Sequence, residues 1–154
     1  MSKWDFCKYW VPVLVWMAVI FPASADTHSY QHSSRIIEPL LRWLFPTMPQ
    51  QTIEQIHEIA RKCCHLTEYS IFAMLLWRAL SRKPRSWRDW PVRKVGTVLL
   101  IVFLYASSDE FHQLFVPTRS ARFTDVLIDT TGGALGLLAL WLVQRAWRPA
   151  PQTR

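Results

Sequence analysis

The sequence predicts an all-α integral membrane protein: a four-transmembrane-helix bundle with a short interfacial helix in the first outer loop and a loop folding over an outer site. Three observations carry this. First, 51% of the 154 residues are apolar, and they collect in four blocks at 9–25, 63–80, 95–108 and 126–143 instead of spreading as in a soluble domain. With its flanks each block reaches spanning length, since about 20 helical residues cross the hydrocarbon. Second, the last two blocks are apolar on every face, whereas a helix of a soluble bundle keeps one apolar stripe. Third, the 18 Lys and Arg residues alternate in density. Twelve of them are Lys3, Lys8, Arg78, Arg82, Lys83, Arg85, Arg88, Arg93, Lys94, Arg145, Arg148 and Arg154, all at the termini or between blocks two and three. The positive-inside rule assigns those segments to the cytoplasm. Both termini are then cytoplasmic at the cell membrane, and connections 26–61 and 106–124 face outward. The net charge of +7 is therefore a topology signal. Little folded surface remains to read bases, so no nucleic-acid partner is expected.

The elements follow in order, within a single domain spanning 1–154 and with spans near 9–25, 60–80, 93–113 and 125–145. The first span carries Ala23-Ser24-Ala25, which resembles a signal-peptide cleavage site. Asp5, Pro12 and the scattered tryptophans fit a retained anchor better. In SRIIEPLLRWLF, Ile36, Ile37, Leu40, Leu41 and Leu44 recur at helical spacing, which suits a helix lying in the interface plane. Pro46 and Pro49 end it. Thr52 with Gln55 three residues on makes a capping-box pattern, starting a helix that runs into the second span. Pro84 and Pro91 break the cytoplasmic loop, and Pro117 stops the third helix. Gly132, Gly133 and Gly136 give the fourth helix a small-residue face for close approach by a neighbour. Cys7, Cys63 and Cys64 supply no disulfide framework. No internal repeat is present.

Ionisable residues interrupt this apolar plan at one level. Counting about 1.5 Å per residue from the inner end of each helix puts His65, Asp109 and Asp129 each about 22 Å out, with Glu68 at about 18 Å, Glu110 at about 24 Å and Asp125 at about 28 Å. Within a hydrocarbon layer about 30 Å thick, that is its outer third. His65 with Glu68 are i,i+3, and Asp109 with Gln113 and Asp125 with Asp129 are i,i+4, so each pair shares a face. A carboxylate facing lipid at such depth costs about 2.5–3.5 kcal/mol. The groups should therefore turn inward together, with Arg119 and also Arg122 brought in as counter-charges by LFVPTRSARF. The bland alternative is an ion-pair network that merely holds the bundle, although such networks add little stability. By phase His112 points away, and His28, His32 and His57 are read as solvated. Tyr69 and Thr67 border the site as hydrogen-bonding groups.

The runs RKCCHLTEY and SSDEFHQLFVPTRSARFTDVLIDTTGGALG resemble the hallmark segments of the VanZ-like membrane proteins. In that family His-x-x-Glu-Tyr precedes Asp-Glu-x-x-Gln, a downstream Arg, and Asp-x-x-x-Asn/Asp ahead of a glycine-rich helix. His65, Glu68 and Tyr69, then Asp109, Glu110 and Gln113, then Arg119, Asp125 and Asp129 occupy those places. Asp129 departs from the Asn of many members and adds a carboxylate. The resemblance covers roughly residues 10–145. It implies a bacterial multi-pass protein of the cell envelope, related to an accessory protein of glycopeptide resistance linked to low-level teicoplanin resistance. It implies no particular reaction.

Three functions fit these residues. A hydrolase or transferase acting on an amphiphile would hold a phosphate or carboxylate on Arg119. Glu68 or Asp109 would be its general acid or base and His65 its proton shuttle. A divalent metal on His65, Glu68, Asp109 and Asp129 is a variant of this reading. An accessory protein would only bind membrane lipids, a lipid-linked cell-wall precursor or a lipoglycopeptide in the same cleft. A proton-coupled carrier would use the carboxylates as a relay, but carriers usually show repeat symmetry.

Overall fold

A computed structural model describes residues 3–25, 37–81, 90–115 and 122–147. Their regular structure is all helical: α1 (Lys3–Ala25), α2 (37–44), α3 (Gln50–Ser81), α4 (Val92–Gln113) and α5 (Phe123–Ala146). Arg119 and Pro117, the basic run from Arg82 to Arg88, and His28, His32, Arg148 and Arg154 lie outside the described residues.

Three helices are long and apolar enough to cross a membrane: α1 over Trp4–Pro22, α4 and α5. Their outer faces are apolar and bare, with Leu14 and Val15 of α1, Leu100 and Leu104 of α4, and Leu138 and Leu142 of α5 about half exposed. A soluble monomer rarely presents such contiguous apolar surface. The expected second span is a different object. Helix α3 runs for 32 residues, about 48 Å, and its first half carries Glu54, Glu58, Arg61 and Lys62. The apolar remainder is interrupted by His65, Glu68 and Arg78, and α3 is not in the set that composition alone marks as spanning. Only its second half is a core helix, with Tyr69, Phe72, Ala73, Leu76 and Trp77 at one helical phase and almost fully buried.

Two boundary expectations are corrected. Helix α3 begins at Gln50, and the Pro49 carbonyl accepts the N–H groups of Thr52 and Ile53 at 3.0 and 3.3 Å. Thr52 is thus inside the first turn and not its cap. The helix expected over SRIIEPLLRWLF is described at 37–44, and Arg42 fixes it to its surroundings by donating to Glu38 at 3.0 Å and to the Gln50 side chain.

The closest packing joins α3 to α5. A Cβ added to Gly132 would stand 2.6 Å from the Leu66 carbonyl oxygen, and one on Gly136 would stand 2.5 Å from that of Ser70. Main chain meets main chain there, which is why residues without side chains occupy both positions. Since Leu66 meets Gly132 and Ser70 meets Gly136, four residues on in each case, the two helices run parallel. The Ser70 hydroxyl lies 2.7 Å from both the Leu66 and Gly132 carbonyls, so its single proton ties the pair. Helix α4 runs antiparallel against them. Its face of Val98, Val102 and Ala106 completes the core, and Val102 fills the space beside Gly133.

Helix α1 closes the other side. Pro12 has no N–H to give the Lys8 carbonyl, and Arg78 of α3 donates to that oxygen at 3.4 Å instead. The Trp16 indole donates to the Glu68 carbonyl at 2.9 Å, and the Tyr105 hydroxyl donates to the Met17 carbonyl at 2.7 Å. At the opposite end Trp77 stacks on Trp90 with ring centroids 3.8 Å apart. Trp90 then donates to Gln144 at 3.1 Å, so the ends of α3 and α5 are clamped to the start of α4.

Candidate functional site

Each of the three core helices changes character along one face. On α4 the buried stripe Val98, Val102, Ala106 continues, at steps of three or four, into Asp109, Glu110 and Gln113, all still buried. On α5 the stripe Gly136, Gly132 runs back into Asp129, also buried. On α3 the stripe headed by Tyr69 runs back into His65. Because α3 and α5 are parallel and α4 opposes them, all three polar segments arrive at the same end of the bundle. The phase argument from sequence therefore holds for the helices that carry the site.

The side chains line a cleft that is open to solvent at its mouth and, within, has room for no more than about one water molecule. His65, Glu110, Gln113, Asp125 and Asp129 line it. His65 Nδ1 stands 3.4 Å from Asp129 Oδ1, with the imidazole 17% and the carboxylate 3% exposed. That contact is longer than a well-formed hydrogen bond. Asp129 Oδ1 is buried without a hydrogen-bond partner among the described residues. Glu68 and Asp109 are not part of the cleft wall. They stand behind it, within electrostatic reach of His65, and Asp109 is only 1% exposed. Tyr69 is fully buried beside them, its hydroxyl without a hydrogen-bond partner among the described residues.

Several assignments change. The side chain of Arg122 was expected as a counter-charge. Its backbone N–H is what reaches the site, donating to Glu110 Oε2 at 2.9 Å, while the residue itself is exposed. Glu110 thus pins the chain as it enters α5, whose first residue is Phe123. Thr67 does not border the cleft; it is exposed and donates back to the Cys63 carbonyl at 2.9 Å. His57, expected to be solvated, is 5% exposed, because it lies four residues from buried Ile53 on the same face of α3. His112 does turn away, packing on Phe21 of α1 with centroids 4.5 Å apart.

Two residues that the sequence analysis did not single out also line the cleft: Arg61 and Lys62. The signal was available, since they precede His65 by four and three residues and so share its face. Neither makes an ion pair among the described residues. The cleft consequently has a basic wall from α3 and a carboxylate wall from α4 and α5.

No three of His, Cys, Asp and Glu converge closely enough to hold a metal ion among the described residues. Of the tetrad His65, Glu68, Asp109 and Asp129, only His65 and Asp129 line the cleft, while Asp109 is buried and Glu68 partly exposed away from it. The tetrad therefore does not fit a divalent cation in this arrangement.

The VanZ/LLP1 family matches residues 9–144. The chain belongs to the VanZ-like family. No curated protein and no solved structure matches it. The match spans α1 to α5, so this VanZ-like chain contributes all three helices of the cleft, together with α1, to the family region.

Proposed function

We propose that this VanZ-like protein binds the polar head of an amphiphile in the cleft between α3, α4 and α5, on the outer side of the cell membrane. One observation carries the reading: a cleft with charged walls adjoins bare apolar surface. Beside Glu110 and Gln113, Phe111, Leu114 and Phe115 are more than 60% exposed, and Phe123 at the start of α5 is 67% exposed. A polar head would sit at the mouth of the cleft, against both walls, while its acyl chains lay along these rings. The outward orientation is supported by the basic residues at the opposite end of the helices, among them Arg93, Lys94 and Arg145. In this topology the second half of α3 serves as the fourth span and α2 lies at the interface. The ligand would be a lipid-linked or cell-wall-related molecule. Through it the protein would contribute to resistance of the teicoplanin type, as its family resemblance suggests.

Teicoplanin susceptibility tests this in cells expressing wild type, Asp129→Asn and Arg61→Ala at matched membrane levels. Loss of protection in both variants is expected. Equal protection by all three would remove the cleft from the function.

A second reading, acid–base catalysis on the bound head, is favoured by the His65–Asp129 contact. A carboxylate beside an imidazole orients it and supports its charged form. His65→Gln would then keep ligand binding and abolish turnover. Mass spectrometry of envelope lipids and cell-wall precursors reads this directly, because an accumulating species in His65→Gln cells marks the substrate. Identical profiles with and without the gene leave binding alone as the activity.

A further inference from the structure

The two walls of the cleft carry opposite charge, and this selects among ligand heads. Arg61, Lys62 and His65 project from one face of α3, while Glu110, Asp125 and Asp129 come from α4 and α5. A purely anionic head would meet the first wall and be repelled by the second. A purely cationic head would suffer the reverse. The carboxylates also outnumber the cationic groups. With Glu68 and Asp109 behind the wall there are five acids against Arg61, Lys62 and His65 among the described residues, and Asp129 Oδ1 is buried with no donor satisfying it.

We infer that the cleft recognises a zwitterionic head in which a phosphate and a primary ammonium are joined by a short linker. The phosphate lies against Arg61 and Lys62, where charge-assisted hydrogen bonds are strongest. The ammonium lies at the mouth against Asp125 and Glu110, with the Asp129 carboxylate, 3.4 Å from His65 Nδ1, adding negative charge from behind them. This inference rests on the amphiphile reading above and narrows it to one head chemistry. Such a group occurs both as the head of a phosphatidylethanolamine lipid and as a free phosphoethanolamine.

Calorimetric titration of the full chain in non-ionic detergent distinguishes the possibilities, with dihexanoyl phosphatidylethanolamine, dihexanoyl phosphatidylglycerol and O-phosphoethanolamine as probes. The ethanolamine lipid should bind about tenfold or more tighter than the glycerol lipid, the difference expected for losing one charge-assisted contact. The double variant Arg61→Ala/Lys62→Ala should weaken ethanolamine-lipid binding by a similar factor. Asp125→Asn, at a half-exposed position where folding tolerates the change, should erase the preference between the two lipids. O-phosphoethanolamine binding as tightly as its lipid would support the head chemistry and identify a soluble source; much weaker binding would support it and identify the membrane lipid. Equal affinity for the two lipids in wild type, or variants without effect, overturns the zwitterion assignment while leaving the amphiphile reading in place. Failure of both lipids to bind overturns the two together.

Discussion

At the scale of single residues, Glu110 is a carboxylate fixed by a backbone N–H, with no cationic partner for it among the described residues. Its Oε2 accepts the Arg122 amide, the last N–H before α5. Glu110→Gln retains an acceptor there and should leave stability nearly unchanged. Glu110→Ala removes the acceptor of a partly buried amide and should cost about 0.5–1.5 kcal/mol, read as a lowered midpoint in thermal unfolding of the detergent-solubilised protein. A midpoint for the alanine variant equal to that of the glutamine variant would show that the contact contributes nothing. Sequence reasoning reached Glu110 as a site residue but assigned Arg122 by its charge. Which atom of Arg122 approaches the carboxylate depends on the turn into α5, and periodicity carries no information about that. Arg61 and Lys62 were legible by spacing from His65, yet a search for carboxylates and imidazoles inside apolar runs passes over basic residues at a helix entry.

At the scale of elements, the parallel α3–α5 pair is set by Gly132 and Gly136, where an added methyl would strike backbone that cannot rotate aside. Gly136→Ala and Gly132→Ala should each destabilise the protein by about 1–3 kcal/mol, the usual cost of overpacking. Gly96 is the control. An added Cβ meets nothing within 4 Å there, and within α4 Gly96→Ala should be neutral or stabilise by about 0.4–1 kcal/mol. Unfolding midpoints of the three variants, measured side by side, test the contrast; a Gly136→Ala protein as stable as Gly96→Ala would refute the close contact. Ser70→Ala should cost about 0.6 kcal/mol, typical of hydrogen bonds between membrane helices. The glycines announced close packing in the sequence, but their partner helix could not be named from it. The bond from Arg78 to Lys8 was likewise hidden: Pro12 advertised a missing donor, and only the fold supplies one from 70 residues away.

For the whole molecule, the helical count and the convergence of polar faces followed from block length and phase, while the character of α3 did not. His65, Glu68 and Arg78 interrupt its apolar half, and among the described residues a span count from composition stops at three. Topology can be read with the protein's own thiols, since Cys7, Cys63 and Cys64 are all exposed. A membrane-impermeant maleimide added to intact cells should label a Cys7→Ser variant, through Cys63 and Cys64, and should spare a Cys63→Ser/Cys64→Ser variant until the membrane is opened. The reverse pattern would invert the orientation proposed here. One residue on from His65 and three on from Asp129, Leu66 and Gly132 press together through their main chains. The two helices that bring the basic and acidic walls face to face are thus held at a spacing no side chain sets, and substitutions in the lining change the charge of the cleft without changing the distance between α3 and α5.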